Sequence, residues 1–238
     1  MPGRKLMRYA FFRLDPAWRA LPPEERALQK KELEAVVAEA PIEVHPYSTV
    51  GLRADADLAY WAIADDPEGL QQFQASWNAT ALGRVLVPTY SYLAMTRQSM
   101  YLKGHKHEGQ EADRAPGPRG DRYLFVYPMV KLRSWYRLPF EERRRIMGEH
   151  FRIGHRYPDV LIHTGYSFGI DDQEFVVAFE AGTVEEFLDL VMELRESESS
   201  SYTERDVPIF TCVRLPLPEI LDQLDGTSAA AAGGGATG

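Results

Sequence analysis

Apolar and aromatic residues recur in short blocks, separated by stretches rich in proline, glycine and charge. Tyr9-Ala-Phe-Phe-Arg-Leu14 is dense in aromatics and predicts a strand. Leu21-Pro-Pro-Glu-Glu-Arg26 opens a helix that runs to about Ala40. Prolines followed at once by acids suit a helix N-terminus, and Leu28, Leu33, Val36 and Val37 form a helical stripe. Residues 50–63 read as a turn feeding a strand. Pro67-Glu68 starts a second helix through about Ala81, and residues 85–92 read as a strand.

The second half follows the same order. Residues 123–131 predict a strand, Leu138-Pro-Phe-Glu-Glu-Arg143 starts a helix to about Tyr157, and residues 172–179 predict a strand. A helix follows over 184–196 and a strand over 209–213. The two LPxEER motifs lie 117 residues apart, and at that offset Asp57-Leu-Ala-Tyr-Trp falls on Glu174-Phe-Val-Val-Ala. Motif, element order and offset together point to duplication. Each half reads strand–helix–strand–strand–helix–strand, the ferredoxin-like pattern. The fold expected is α+β, with two ferredoxin-like repeats packed sheet to sheet as a dimeric α/β barrel. Residues 1–103 form the first repeat and 121–225 the second. The Gly- and Pro-rich stretch 104–120 is a linker loop. Residues 226–238, ending in Ala/Gly repeats, are expected to be a disordered tail.

Composition narrows the class. With 238 residues, area scaling allows about 70% of the unfolded surface to be buried, enough for a core without staples. A single cysteine, Cys212, rules out an intramolecular disulfide and a cysteine-based zinc cluster, and reads as a small buried hydrophobe. The net charge of −8 disfavours nucleic acid and anionic membrane as partners. No run approaches 18 apolar residues, and Arg13 and Asp15 interrupt any signal-like apolar region, so a soluble cytoplasmic protein is the expectation. Phosphate-loop, dinucleotide, nucleophile-elbow and zincin motifs are absent.

His150 is the most informative residue. It lies on the apolar stripe of Ile146, Met147, Ile153 and Tyr157, where a buried imidazole needs a partner for each nitrogen. The matching residue of the first repeat is Leu33. From the residues alone a hydrogen-bonded core histidine outranks a metal ligand. Tyr127 and Lys131, four apart on one strand, fall on one face by period-two alternation. A core tyrosine and a solvated lysine compete there with a pair for radical or anion-binding chemistry. His105, in His105-Lys-His107-Glu108, is either part of a solvated loop or a proton-transfer group delivered into a pocket. Arg195 and Ser200 are either surface groups or carboxylate donors. Arg143, Arg144 and Arg145 read as a solvated helix face.

Tyr127-Pro-Met-x-Lys131, Trp135-Tyr-x-Leu-Pro-x-Glu-Glu-Arg143, Glu149-His150 and Gly169-Ile-Asp-Asp-x-Glu-Phe175 resemble the chlorite dismutase-like haem protein family. Gly51-Leu-Arg-Ala-Asp-Ala-Asp57, Tyr157-x-Asp-Val160 and Val207-Pro-x-Phe-Thr211 add a likeness to its actinobacterial-type coproheme decarboxylases. The resemblance implies a homopentamer, with transient contact with ferrochelatase as a further expectation. It implies iron coproporphyrin III as substrate and redox centre, haem b as product and hydrogen peroxide as oxidant. It places His150 on the proximal iron ligand, Tyr127 on the radical-forming tyrosine, Lys131 on a propionate partner and Trp135 beside it. Arg195 and Ser200 fall near further propionate contacts, and His105 resembles a distal histidine. Ile162 takes the place of the distal arginine of chlorite dismutases, with His163 next to it, which disfavours chlorite chemistry. The alternatives are a chlorite dismutase-like or peroxidase-like haem enzyme and a non-catalytic haem-binding protein.

Overall fold

A computed structural model describes residues 4–101 and 117–227. In chain order the elements are β1 (Leu6–Leu14), α1 (Pro23–Ala38), β2 (Glu43–Ser48), β3 (Leu58–Ala64), α2 (Pro67–Ala79), α3 (Ala81–Val85) and β4 (Leu86–Thr96). Then follow β5 (Tyr123–Lys131), α4 (Arg133–Arg137), α5 (Phe140–Gly154), β6 (Leu161–Tyr166), β7 (Phe175–Ala181), α6 (Val184–Glu196), β8 (Thr203–Arg205), β9 (Phe210–Arg214) and α7 (Leu217–Asp225). Short 3-10 turns span Pro16–Ala20 and Glu198–Tyr202. The chain divides into two compact units, one running to Tyr92 and resuming at Cys212, the other comprising Leu93–Thr211.

In the first unit the strand order is β4-β1-β3-β2. β1 and β3 pair antiparallel from Leu6↔Ala64 to Phe12↔Leu58, and β2 pairs with β3 from Glu43↔Ile63 to Ser48↔Leu58. Every residue of β3 is buried, so the strand reads as a continuous apolar run rather than an alternation. The helix expected over 67–81 is interrupted at Thr80, which takes extended backbone and caps α3 by accepting from Gly83 N. Helix α7, expected at the end of the second repeat (121–225), groups with the first unit. It buries Leu217, Ile220, Leu221 and Leu224, and its Asp222 and Asp225 pair with Lys30, with Arg26 also on Asp225. Gly226 closes α7 in left-handed backbone at φ 78°.

The second unit repeats the plan, with β7 paired to both β6 and β5, and β8 on the far side of β5. The 117-residue offset carries Leu6–Leu14 onto Tyr123–Lys131, Leu58–Ala64 onto Phe175–Ala181, and Pro67–Ala79 onto Val184–Glu196. It also carries the turn Pro16–Ala20 onto α4 and α3 onto the turn Glu198–Tyr202. The fold is α+β with two ferredoxin-like units, as expected. Cys212 is buried, and burial pushes its thiol pKa up, as a small core residue requires. No helix among the described residues is long and apolar enough to cross a membrane.

Candidate functional site

Helix α5 starts behind Pro139 with Glu141 and Glu142 in its first turn, and buries Ile146 and Ile153. The same side carries His150, whose Nδ1 lies 3.2 Å from Ser199 Oγ. Ser199 Oγ is 3.0 Å from Ser197 Oγ, and Ser197 Oγ donates to Leu194 O at 2.7 Å. His150 Nε2 makes no hydrogen bond among the described residues. Burial, with the nearby Lys131 charge, pushes the His150 pKa down to about 4, so the imidazole is neutral at pH 7.

Lys131 ends β5, where the ladder to β8 shifts register between Val130 and Lys131. Strict alternation therefore stops at this residue. Its ammonium donates to Ser199 O at 2.9 Å and Thr203 Oγ1 at 3.2 Å, leaving one N–H. It also sits 5.3 Å from the Trp135 ring centroid. Lys131 is buried rather than solvated, and burial lowers its pKa to about 8. Glu174 fixes the strand end: its Oε2 accepts from Lys131 N at 2.8 Å and Tyr136 OH at 2.5 Å, and Oε1 accepts from Arg133. Trp135 is buried between Tyr202 and Tyr101, at ring separations of 5.4 and 6.4 Å. Arg143, expected to be solvated, reaches the Tyr101 hydroxyl, whereas Arg144 and Arg145 form surface pairs with Glu141 and Glu142.

Tyr127 and Ile162 share a face. Tyr127 opposes Val177 across β5–β7, and Ile162 opposes Phe179 across β6–β7. Both pack on the cluster of Phe125, Ile153, Val177, Phe179, Phe187 and Leu190, with the Tyr127 ring stacked 6.1 Å from Phe179. The Tyr127 hydroxyl makes no hydrogen bond among the described residues. Burial raises its pKa, with Asp206 adding to the rise and Arg195 opposing it. Arg195 is half exposed and paired with Asp206. Ser200 is half buried, and its hydroxyl makes no hydrogen bond among the described residues.

His163 faces the other way. Its Nε2 lies 2.8 Å from Glu180, a buried carboxylate that also accepts from the backbone N–H groups of Arg119, Gly120 and Asp121. His105 lies outside the described residues. Tyr101, four positions earlier in sequence, is the last described residue before it and packs on Trp135.

The Chlorite dismutase family model matches residues 16–215. The chain belongs to the chlorite dismutase family. A curated relative, the coproheme decarboxylase of Mycolicibacterium smegmatis, is 36% identical over 179 residues, covering 75% of each chain. Among solved structures, the chlorite dismutase of Candidatus Nitrospira defluvii in complex with imidazole aligns with TM-score 0.84 at 27% identity, covering 93% of this chain and 95% of that one. A mutant of that enzyme in complex with cyanide gives the same TM-score, identity and coverage.

The family's internal duplication sharpens the site. At the 117-residue offset, Lys131, His150 and Ser199 replace Leu14, Leu33 and Leu82, all buried in the first repeat. Polar groups at three such positions are costly unless they serve one another or a ligand. An iron porphyrin fits this donor set: one neutral imidazole with a free nitrogen, one lysine N–H beside a tryptophan, and an apolar wall. Among the described residues no three His, Cys, Asp or Glu side chains gather to hold a bare metal ion. Ser199 and Asp206 were not identified from the sequence, and Glu174 only as part of the motif over residues 169–175. Ser199 could have been, because the offset sets it against Leu82.

Proposed function

We propose that the protein is a peroxide-dependent coproheme decarboxylase, converting iron coproporphyrin III to haem b at the end of coproporphyrin-dependent haem synthesis. The observation that carries the reading is the shared face of Tyr127 and Ile162. A phenol that makes no hydrogen bond among the described residues stands on a face where an isoleucine can neither charge-pair nor hydrogen-bond with an anionic oxidant. The named relative supports the same reaction.

The bound iron porphyrin supplies the oxidising capacity, with hydrogen peroxide as the electron acceptor. His150 holds the iron through Nε2. Lys131, beside Trp135, takes a propionate carboxylate with its remaining N–H, and Arg195 and Ser200 take others. His105 removes and returns a proton of peroxide. Tyr127 gives up an electron and its phenolic proton, then takes a hydrogen atom from a propionate β-carbon. Loss of carbon dioxide and a second electron leaves a vinyl group. Each propionate, counted as the acid, thus consumes one hydrogen peroxide and yields one carbon dioxide and two waters. Homopentameric assembly, a cytoplasmic location and transient contact with ferrochelatase belong to the same proposal.

The test adds iron coproporphyrin III to purified protein, titrates hydrogen peroxide and follows the porphyrin by mass spectrometry. Two successive losses of carbon dioxide and two hydrogens are expected. Binding without those losses would replace the reading with a haem carrier or another haem oxidant. Oxygen release from chlorite would replace it with a chlorite-cleaving enzyme.

A further inference from the structure

The hydrogen bonds around His150 allow a proton count. Ser197 Oγ stands 2.7 Å from Leu194 O, and two oxygens this close need a proton between them. Only the Ser197 hydroxyl can supply it. The equivalent hydroxyl of the first repeat, Thr80, donates to Trp77 O at 2.8 Å, so the arrangement is a property of this helix end. Ser197 Oγ can therefore only accept from Ser199 Oγ, 3.0 Å away, which commits the Ser199 proton. Ser199 Oγ then has only lone pairs to offer His150, and the 3.2 Å contact requires a proton on Nδ1.

One further contact holds this chain in place. Lys131 Nζ donates to the backbone carbonyl of Ser199 at 2.9 Å, and Ser199 and Ser197 are both buried. The pair His150–Ser199 also stands where the first repeat has Leu33–Leu82. Both members of an apolar pair are polar in one repeat only, so the serine accompanies the histidine.

We propose that Ser197 and Ser199 form a hydroxyl relay that fixes His150 as the Nδ1–H tautomer and leaves the Nε2 lone pair free for the iron of a porphyrin. The relay runs from His150 Nδ1–H to Ser199, from Ser199 to Ser197, and from Ser197 to the carbonyl of Leu194. The two serines are positioning residues: they touch neither iron nor substrate. The iron-facing part of the inference rests on the proposed ligand role of His150, while the tautomer itself does not.

The deciding measurement is a long-range proton–nitrogen correlation spectrum of the full-length, porphyrin-free protein labelled with nitrogen-15. The His150 signals are assigned by their loss in His150→Gln. The relay predicts a protonated-type Nδ1 and an unprotonated-type Nε2. Ser197→Ala removes the acceptor of the Ser199 proton, which turns to Nδ1 and drives His150 to the Nε2–H form. Ser199→Ala abolishes the Nδ1–H preference, and Ser199→Thr keeps it. Ferric coproporphyrin should bind Ser197→Ala and Ser199→Ala roughly 10- to 100-fold more weakly, and Ser199→Thr normally. An Nε2–H imidazole in the parent protein, or an Nδ1–H preference that survives both alanine variants, would overturn the relay. The parent spectrum alone decides if a variant does not fold. An Nδ1–H imidazole that responds to the variants, in a protein that binds no porphyrin, would sustain the relay and sink the haem reading.

Discussion

His163 and Glu180 meet at 2.8 Å on the face of the β6–β7 ladder opposite to that of Tyr127 and Ile162. His163 follows Ile162 in sequence, so one residue of strand register separates the apolar face of Tyr127 and Ile162 from the His163–Glu180 pair. Glu180 also receives three backbone N–H groups from residues 119–121, the start of the chain leading into β5. This network commits His163 to the fold and leaves the distal proton-transfer role, in the proposed reaction, to His105.

Glu180→Ala should therefore be strongly destabilising, by about 3 kcal/mol or more, because it removes the acceptor that three backbone N–H groups and the His163 imidazole share. Burial raises the Glu180 pKa, but the bonds from His163 and the backbone outweigh it and hold the carboxyl at about 2, below its ordinary 4.5. A depressed carboxylate stabilises fully above its unfolded pKa, and that stability is lost as pH falls through about 4.5 toward 2. Thermal melts over that range should show a steep loss for the parent protein. An equally steep loss in Glu180→Gln would assign the acid sensitivity elsewhere.

His150→Leu restores the residue of the first repeat. The variant should fold with a Tm at least equal to the parent's, since it removes a half-buried imidazole from an apolar stripe, and should lose the absorption band of bound porphyrin. The His150 pKa falls from 6.5 to about 4 on folding, so its share of stability is complete above 6.5 and lost as pH falls through 4. His150→Leu should flatten that part of the acid limb. Undiminished porphyrin binding would remove His150 from the site.

Lys131 should make carboxylate binding depend on alkaline pH. The ammonium is charged below about 8 and neutral above it, so propionate binding should weaken as pH rises through that value. Lys131→Met should bind iron coproporphyrin roughly ten-fold more weakly at pH 7 and lose this dependence, as expected for one charge-assisted hydrogen bond. Fluorescence quenching titrations from pH 6.5 to 9.5 would measure both.

Tyr127→Phe should bind iron coproporphyrin like the parent and release no carbon dioxide. The hydroxyl makes no hydrogen bond among the described residues, so stability should change by less than about 1 kcal/mol. Normal turnover by this variant, read by mass spectrometry, would remove Tyr127 from the reaction.

The duplication was legible in the chain because it rests on local signals: two LPxEER helix starts at a fixed offset, and strand and helix patterns that repeat in order. The structure extends it to turn boundaries. The strands β2 and β6 were not assigned individually. Glu43–Ser48 contains Pro46, and Leu161–Tyr166 contains His163 and Gly165, so neither shows clean alternation. Helix α7 shows its apolar stripe of Leu217, Ile220, Leu221 and Leu224 in the sequence, but that it docks on the first unit is set by Arg26 and Lys30, nearly 200 positions away.

The sequence by itself determined that two ferredoxin-like repeats are present, that the second carries His150 where the first has leucine, and that Tyr127 and Lys131 share a strand. Periodicity reports one residue's neighbours along its own element, and that suffices for these. Only the tertiary structure decided that Ser199 partners His150, that Lys131 turns to Ser199 and Thr203 past an irregular ladder, and that His163 belongs to Glu180. Each joins groups 17 to 72 residues apart in sequence, within hydrogen-bonding distance of about 3 Å. Sequence spacing carries no information at that range until the chain has folded.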